Sequence, residues 1–132
     1  MSKVAKKVLI VEDDESISRI YDIKLKKEGV ETLIVADGEV VLEKLPEFKP
    51  DLILLDLMLP KRDGFWVLEH IRKSPDFKET PVVVLSNLGQ ESDKEKAEAL
   101  GVEDYLVKAN ISIREATRRI MGYLNHSAAS GK

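Results

Sequence analysis

Five short apolar runs recur along the chain at intervals of roughly 20 to 30 residues: Val8–Val11, Thr32–Val35, Leu52–Leu55, Val82–Leu85 and Tyr105–Val107. Most are unbroken rather than alternating, the pattern of strands buried on both faces of a parallel sheet. The segments between them carry helical spacing. Ile17, Ile20, Tyr21 and Leu25 predict a first helix that Gly29 can stop. The spacing predicts a second over Glu39–Leu45 and a third over Phe65–Lys73. A fourth is expected after Gln90, with Ser92 and Glu95 as a capping box and Gly101 as its end; its apolar stripe is thin, chiefly Ala97 and Leu100. The last is the clearest, with Ile113, Ala116, Thr117, Ile120, Met121 and Leu124 on one face and Ser112 and Glu115 in capping-box spacing. Strand alternating with helix five times is an α/β domain. Right-handed crossovers make 2-1-3-4-5 the expected order of a five-stranded parallel sheet, with its crevice at the carboxyl ends of strands 1 and 3.

Composition narrows the function. The 132 residues are 43% hydrophobic and 34% charged, enough apolar material for one compact core. The 21 basic and 24 acidic residues leave a charge of −3, which argues against a chain that wraps phosphate backbone. Cysteine is absent, removing thiol catalysis, thiolate metal sites and disulfides. No apolar run approaches the roughly 20 residues of a membrane span. MSKVAKK leads into a strand rather than a signal peptide, so a cytoplasmic domain without membrane contact is expected. No two glycines are spaced GxG, so neither a dinucleotide fingerprint nor a Walker loop is present and no organic cofactor site is expected. The domain is placed at 5–124, with 1–4 and 125–132 as flexible termini.

Strand 1 ends in Glu12-Asp13-Asp14, strand 3 in Asp56, strand 4 in Ser86 and strand 5 in Lys108. A parallel sheet brings all these ends to one edge. Two carboxylates about 5 Å apart at an effective dielectric near 20 repel by roughly 3 kcal/mol. Protonation or a hard cation must offset that repulsion. Oxygen ligands without His or Cys suit Mg²⁺, with Mn²⁺ and Ca²⁺ also accommodated. A metal beside a carboxylate, with an ammonium and a hydroxyl nearby, is what transfer of a phosphoryl group onto that carboxylate requires. Singly, each residue has an ordinary role: an acidic helix cap, a turn serine, an end-of-strand lysine. Their joint placement at four strand ends carries the chemistry.

The pieces VLIVEDD (8–14), DLILLDLMLP (51–60) with Gly64, VVVLSN (82–87) and DYLVK (104–108) resemble a response-regulator receiver domain of two-component signalling over about residues 5–124. The resemblance implies a flavodoxin-like fold and a phosphorylation-activated switch rather than a metabolic enzyme. It implies that Asp56 accepts phosphate from a sensor histidine kinase or phosphotransfer protein. Asp13, Asp56 and the backbone carbonyl of Met58 would hold Mg²⁺ (or Mn²⁺), and Glu12 would act through water. Asp14 falls one place beyond the acidic pair and becomes a helix cap. Lys108 would hold the phosphoryl group and Ser86 would move to bond it. Tyr105 matches the switch aromatic, whose rotation alters the face made by helix 4, strand 5 and helix 5. That face would then govern an unknown downstream protein or a phosphorylation-dependent homodimer.

Three positions depart from the family pattern. Ala109 follows Lys108 where Pro is usual, and a cis bond there would cost roughly 2.5–4 kcal/mol. Asn87 follows Ser86 where a very small residue is favoured. Met58 and Leu88, two places beyond Asp56 and Ser86, are apolar, and slow self-dephosphorylation is expected from them. His70 and His126 are read as surface histidines, Trp66 as packing, and Arg114, Arg118 and Arg119 either as dimer ion pairs or as a solvated face. The rival readings are an Asp-nucleophile phosphatase or phosphotransferase, a flavodoxin-like cofactor binder, and a receiver-like binding module independent of phosphorylation. The first usually carries a second Asp where this chain has Met58, and the second lacks its phosphate loop after strand 1. The short segment after Leu124 leaves open a stand-alone regulator or a domain of a longer protein.

Overall fold

The structure is a computed structural model and describes residues 5–130. Five parallel strands, β1 (Lys7–Val11), β2 (Glu31–Val35), β3 (Leu52–Leu55), β4 (Val82–Ser86) and β5 (Asp104–Val107), form one sheet in the order β2-β1-β3-β4-β5. Five helices connect and cover it: α1 (Glu15–Lys27), α2 (Gly38–Phe48), α3 (Gly64–Lys73), α4 (Glu91–Ala99) and α5 (Ile113–Ser130). Alternate strand residues face opposite layers. Leu9, Val11, Ile53, Leu55, Val82 and Val84 pack against α2, α3 and α4. Val8, Ile10, Leu52, Leu54, Val83 and Leu85 pack against α1 and α5. Burial of β1, β3 and β4 on both faces is why their sequences are unbroken apolar runs. The edge strand β2 is more open, and Ile34 is 40% exposed.

The helix ends show where local spacing decides and where it does not. Asp14 caps α1, accepting from the Ser16 and Ile17 N–H groups, and Gly29 leaves the helix at φ 85°. α2 runs three residues past Leu45, carrying Pro46 in its last turn, and stops at left-handed Lys49. α3 starts one residue early, at Gly64. The Ser92–Glu95 capping box does not form. Gln90 is the N-cap, its side chain caps nothing, and its carbonyl takes the Asp93 and Lys94 N–H groups. Ser92 therefore lies inside the first turn, where Glu91 and Asp93 complement the helix dipole. The box at α5 is half made. Ser112 Oγ accepts from the Glu115 N–H at 3.0 Å, but the Glu115 carboxylate turns to Arg118 and Arg119. α5 continues beyond Leu124 to Ser130, with no Gly or Pro before Gly131 to break it. Residues 1–4 and 131–132 of the expected termini lie outside the described residues.

Only Ala97 of α4 is buried, as the thin stripe predicts. Its C-terminal end is nevertheless held. Arg72, at the end of α3, donates to the carbonyls of Leu100 (2.6 Å), Gly101 (3.0 Å), Lys78 (3.0 Å) and Thr80 (2.9 Å). Among the described residues no helix is long and apolar enough to cross a membrane.

Candidate functional site

The carboxyl edge of the sheet gathers the acidic residues as expected. Glu12 and Asp56 are each 4% exposed at the ends of β1 and β3, while Asp13 is exposed. One carboxylate oxygen from each of Glu12, Asp13 and Asp56 lies within 4.8 Å of the others. Three hard oxygen donors at this spacing fit a divalent cation of the Mg²⁺ or Mn²⁺ type. Beneath Glu12 and Asp56 the floor is apolar, built by Ile10, Ile17, Tyr21, Leu54 and Leu85. The acids are thus closed off from below and open only toward the crevice.

Lys108 joins the buried pair. Its Nζ lies 2.7 Å from Glu12 Oε1 and 2.9 Å from Asp56 Oδ2. Burial works against the Lys108 charge, but the hydrogen bonds to the two carboxylates outweigh it and hold its pKa above the ordinary value. Burial also pushes Glu12 up to about 7; the Asp56 charge adds to the rise and the Lys108 hydrogen bond opposes it. Asp56 Oδ1 accepts from the Met58 N–H at 3.0 Å, which aims the carboxylate along the loop after β3. Lys108 reaches the pair without a cis peptide: none occurs among the described residues, and Lys108–Asn110 form a single 3₁₀ turn.

Ser86 is fully buried at the end of β4, and its Oγ accepts from the Leu88 N–H at 3.4 Å. Tyr105, half-buried on β5, donates its hydroxyl to the Leu88 carbonyl at 2.6 Å. The β4–α4 loop is thereby held at Leu88 from two sides, by the proposed switch serine and the proposed switch aromatic. This double tie through backbone atoms was not legible beforehand, since a backbone acceptor leaves no trace in residue type. Gly64, part of the motif that follows β3, has its reason in packing. A Cβ there would stand 2.5 Å from Leu57 Cα and 2.6 Å from the Asp56 carbonyl oxygen, so glycine lets α3 close on the loop that carries Asp56.

Met58 adjoins the crevice through its backbone, whose N–H bonds Asp56, and its side chain is 52% exposed. The remaining candidates stay outside the crevice. Asp14 is a helix cap. His70 Nδ1 meets the Trp66 carbonyl oxygen at 2.9 Å and its ring lies 4.0 Å from the Trp66 ring, while His126 is exposed. Arg118 and Arg119 bind Glu115 within their own helix, and Arg119 also reaches Asp104 at 3.3 Å.

This arrangement has known counterparts. The response regulator receiver domain matches residues 8–120 of the chain. The alkaline phosphatase synthesis transcriptional regulatory protein PhoP of Bacillus subtilis (strain 168) is 38% identical over 122 residues, which span 92% of this chain and 50% of PhoP. The chain spans about half the length of the curated relatives it matches. The receiver domain of Francisella response regulator 1452 superposes with a TM-score of 0.82 at 31% identity, over 96% of this chain and 99% of that one. The Mn²⁺-bound form of response regulator Rcp1 superposes with a TM-score of 0.76 at 36% identity, covering 89% of this chain and 90% of its own.

Proposed function

This chain belongs to the response regulator receiver domain family, and from that premise we propose that it is a binding switch controlled by phosphorylation of Asp56. The observation that carries the reading is the bridge from Lys108 to Glu12 and Asp56 over a mainly apolar floor. A buried carboxylate with a cation already at its oxygen is prepared for a phosphoryl group that brings more negative charge. A kinase phosphohistidine or the phosphohistidine of a phosphotransfer protein is the donor. An Asp56 oxygen attacks phosphorus, the O–P bond forms as the P–N bond breaks, and the electron pair leaves with the imidazole nitrogen. Asp13, Asp56, the Met58 carbonyl and, through water, Glu12 are the residues that would hold Mg²⁺, with Mn²⁺ as a substitute. When bound, the ion supplies positive charge that offsets the phosphoryl oxygens. Lys108 passes from Asp56 to a phosphoryl oxygen, and the Ser86 hydroxyl moves to donate to another.

The structural consequence runs through Leu88. When Ser86 moves, the loop loses one of its two ties, and Tyr105 is free to leave the Leu88 carbonyl. The weakly buried α4 can then shift against β5 and α5, and that face governs a downstream protein or a second copy of the chain. A hundredfold change in partner affinity needs only about 2.7 kcal/mol between the two states. The domain acts by contact in the cytoplasm, touches neither nucleic acid nor membrane directly, and turns over no external substrate. The apolar Met58 and Leu88 slow attack of water on the acyl phosphate.

Incubation with acetyl phosphate and Mg²⁺ followed by intact mass tests the acceptor. The wild type gains about 80 Da, the mass of one phosphoryl group, and Asp56→Ala gains nothing. No adduct on the wild type, or one that survives the substitution, overturns the assignment.

A further inference from the structure

The outer seam between α1 and α5 is not used by the chemistry above. A groove of about 540 Å³ opens there. Lys24 and Lys27 form its α1 rim, and Arg114 and Arg118 its α5 rim. Among the described residues Glu28 is the one acid in its lining. Four cations against one acid contrast with a whole-chain charge of −3. Lys24, Lys27 and Arg114 are exposed and make no ion pair among the described residues, whereas Arg118 is partly neutralised by Glu115. The floor is not polar throughout. Met121, which packs on the α1/α5 core layer, and Thr117 line it.

We propose that this groove docks an acidic amphipathic segment of a partner protein, its carboxylates between the Lys24/Lys27 and Arg114/Arg118 rims and its apolar side chains on Met121. Charge complementarity selects the acidic partner, and the apolar floor selects a protein segment over other anions. Nucleic acid is disfavoured because four cations interrupted by Glu28 and Glu115 do not make the long phosphate-tracking stripe such binding uses. A flat anionic lipid surface cannot reach a floor recessed between two helices. A second copy presenting this same groove would set like charges against each other, so self-association would need a different, acidic face. The groove shares no residue with the phosphoacceptor site, so the proposal stands or falls independently of it.

The test uses a fluorescein-labelled peptide with one glutamate face and one leucine face, titrated into the full chain by anisotropy. The wild type binds it, more weakly as salt rises. Charge reversal in the K24E/K27E/R114E variant weakens binding at least about tenfold, equivalent to about 1.4 kcal/mol. The milder K24Q/K27Q variant gives an intermediate loss and covers the case in which the triple variant misfolds, judged by circular dichroism. A peptide with its glutamates replaced by lysines binds the triple variant better than the wild type. The proposal is overturned if the acidic peptide fails to bind or binds both variants as well as the wild type. A scrambled peptide of the same composition binding equally, or tighter binding of a DNA duplex or of phosphatidylserine vesicles, overturns it as well. Sedimentation showing self-association that the triple variant abolishes assigns the groove to a second copy instead.

Discussion

The Nζ of Lys108 donates to Oδ2 of Asp56 across 2.9 Å, joining residues 52 positions apart in the chain. The same ammonium holds Glu12 at 2.7 Å, so a single cation bridges two nearly inaccessible carboxylates. Lys108→Ala leaves both buried acids without a cation, each keeping a backbone N–H, and is expected to cost about 3 kcal/mol in the absence of metal. Mg²⁺ recovers more stability in this variant than in the wild type, because the ion no longer shares the oxygens with an ammonium. Urea unfolding of both proteins with and without Mg²⁺ checks this; equal metal effects would refute it.

Glu12 yields a pH dependence. Its folded pKa of about 7 lies above the ordinary 4.5 of the unfolded chain, so between those values the folded state holds the extra proton. That contribution to stability is fully present below 4.5 and is lost as pH rises through about 7. Without divalent ions, thermal midpoints fall between about pH 5 and about pH 8. Glu12→Gln flattens that part of the profile, and Mg²⁺ raises the wild-type midpoint more at the higher pH, where the carboxylate it needs is ionised. A variant with the wild-type slope would remove Glu12 as the cause.

Two glycine substitutions have opposite expected signs. Gly64→Ala drives a methyl into the backbone of Leu57 and Asp56 and is expected to destabilise by about 2 kcal/mol. Because the clash falls on the Asp56 loop, acetyl phosphate labelling slows in the same variant. Gly122→Ala meets nothing within 4 Å and sits inside α5, so it stabilises by up to about 1 kcal/mol. Denaturant midpoints separate the two.

Tyr105→Phe removes the hydroxyl that holds the Leu88 carbonyl and should cost about 1 kcal/mol. Hydrogen exchange then rises in residues 87–90 and at the start of α4, while the core strands keep their protection. Unchanged exchange in that loop would show that Tyr105 does not restrain it.

Local spacing carried most of the fold. Unbroken runs such as Val82–Leu85 mark doubly buried strands because burial on both faces permits no polar alternation. It failed at Ser92, where the chain enters α4 two residues earlier than the capping pattern implies. A capping box describes which bonds a serine can make, while the entry point depends on where the preceding loop, tied at Leu88, delivers the chain. At Ser112 the pattern was half right, because Glu115 had two arginines within reach as competitors for the N-terminal amide.

The order of apolar runs alone makes this a five-stranded α/β domain and sends Glu12, Asp13, Asp56, Ser86 and Lys108 to one edge. Strand ends in a parallel sheet have nowhere else to go. Which groups pair is settled in three dimensions: Lys108 with both buried acids, Ser86 and Tyr105 with the backbone of Leu88 and, away from that edge, Arg72 with four carbonyls near the end of α4. Those choices depend on distances of a few ångströms between residues far apart in the chain. Hydrophobic period and motif order bring such groups to one edge, but the packing of whole elements sets which atoms touch.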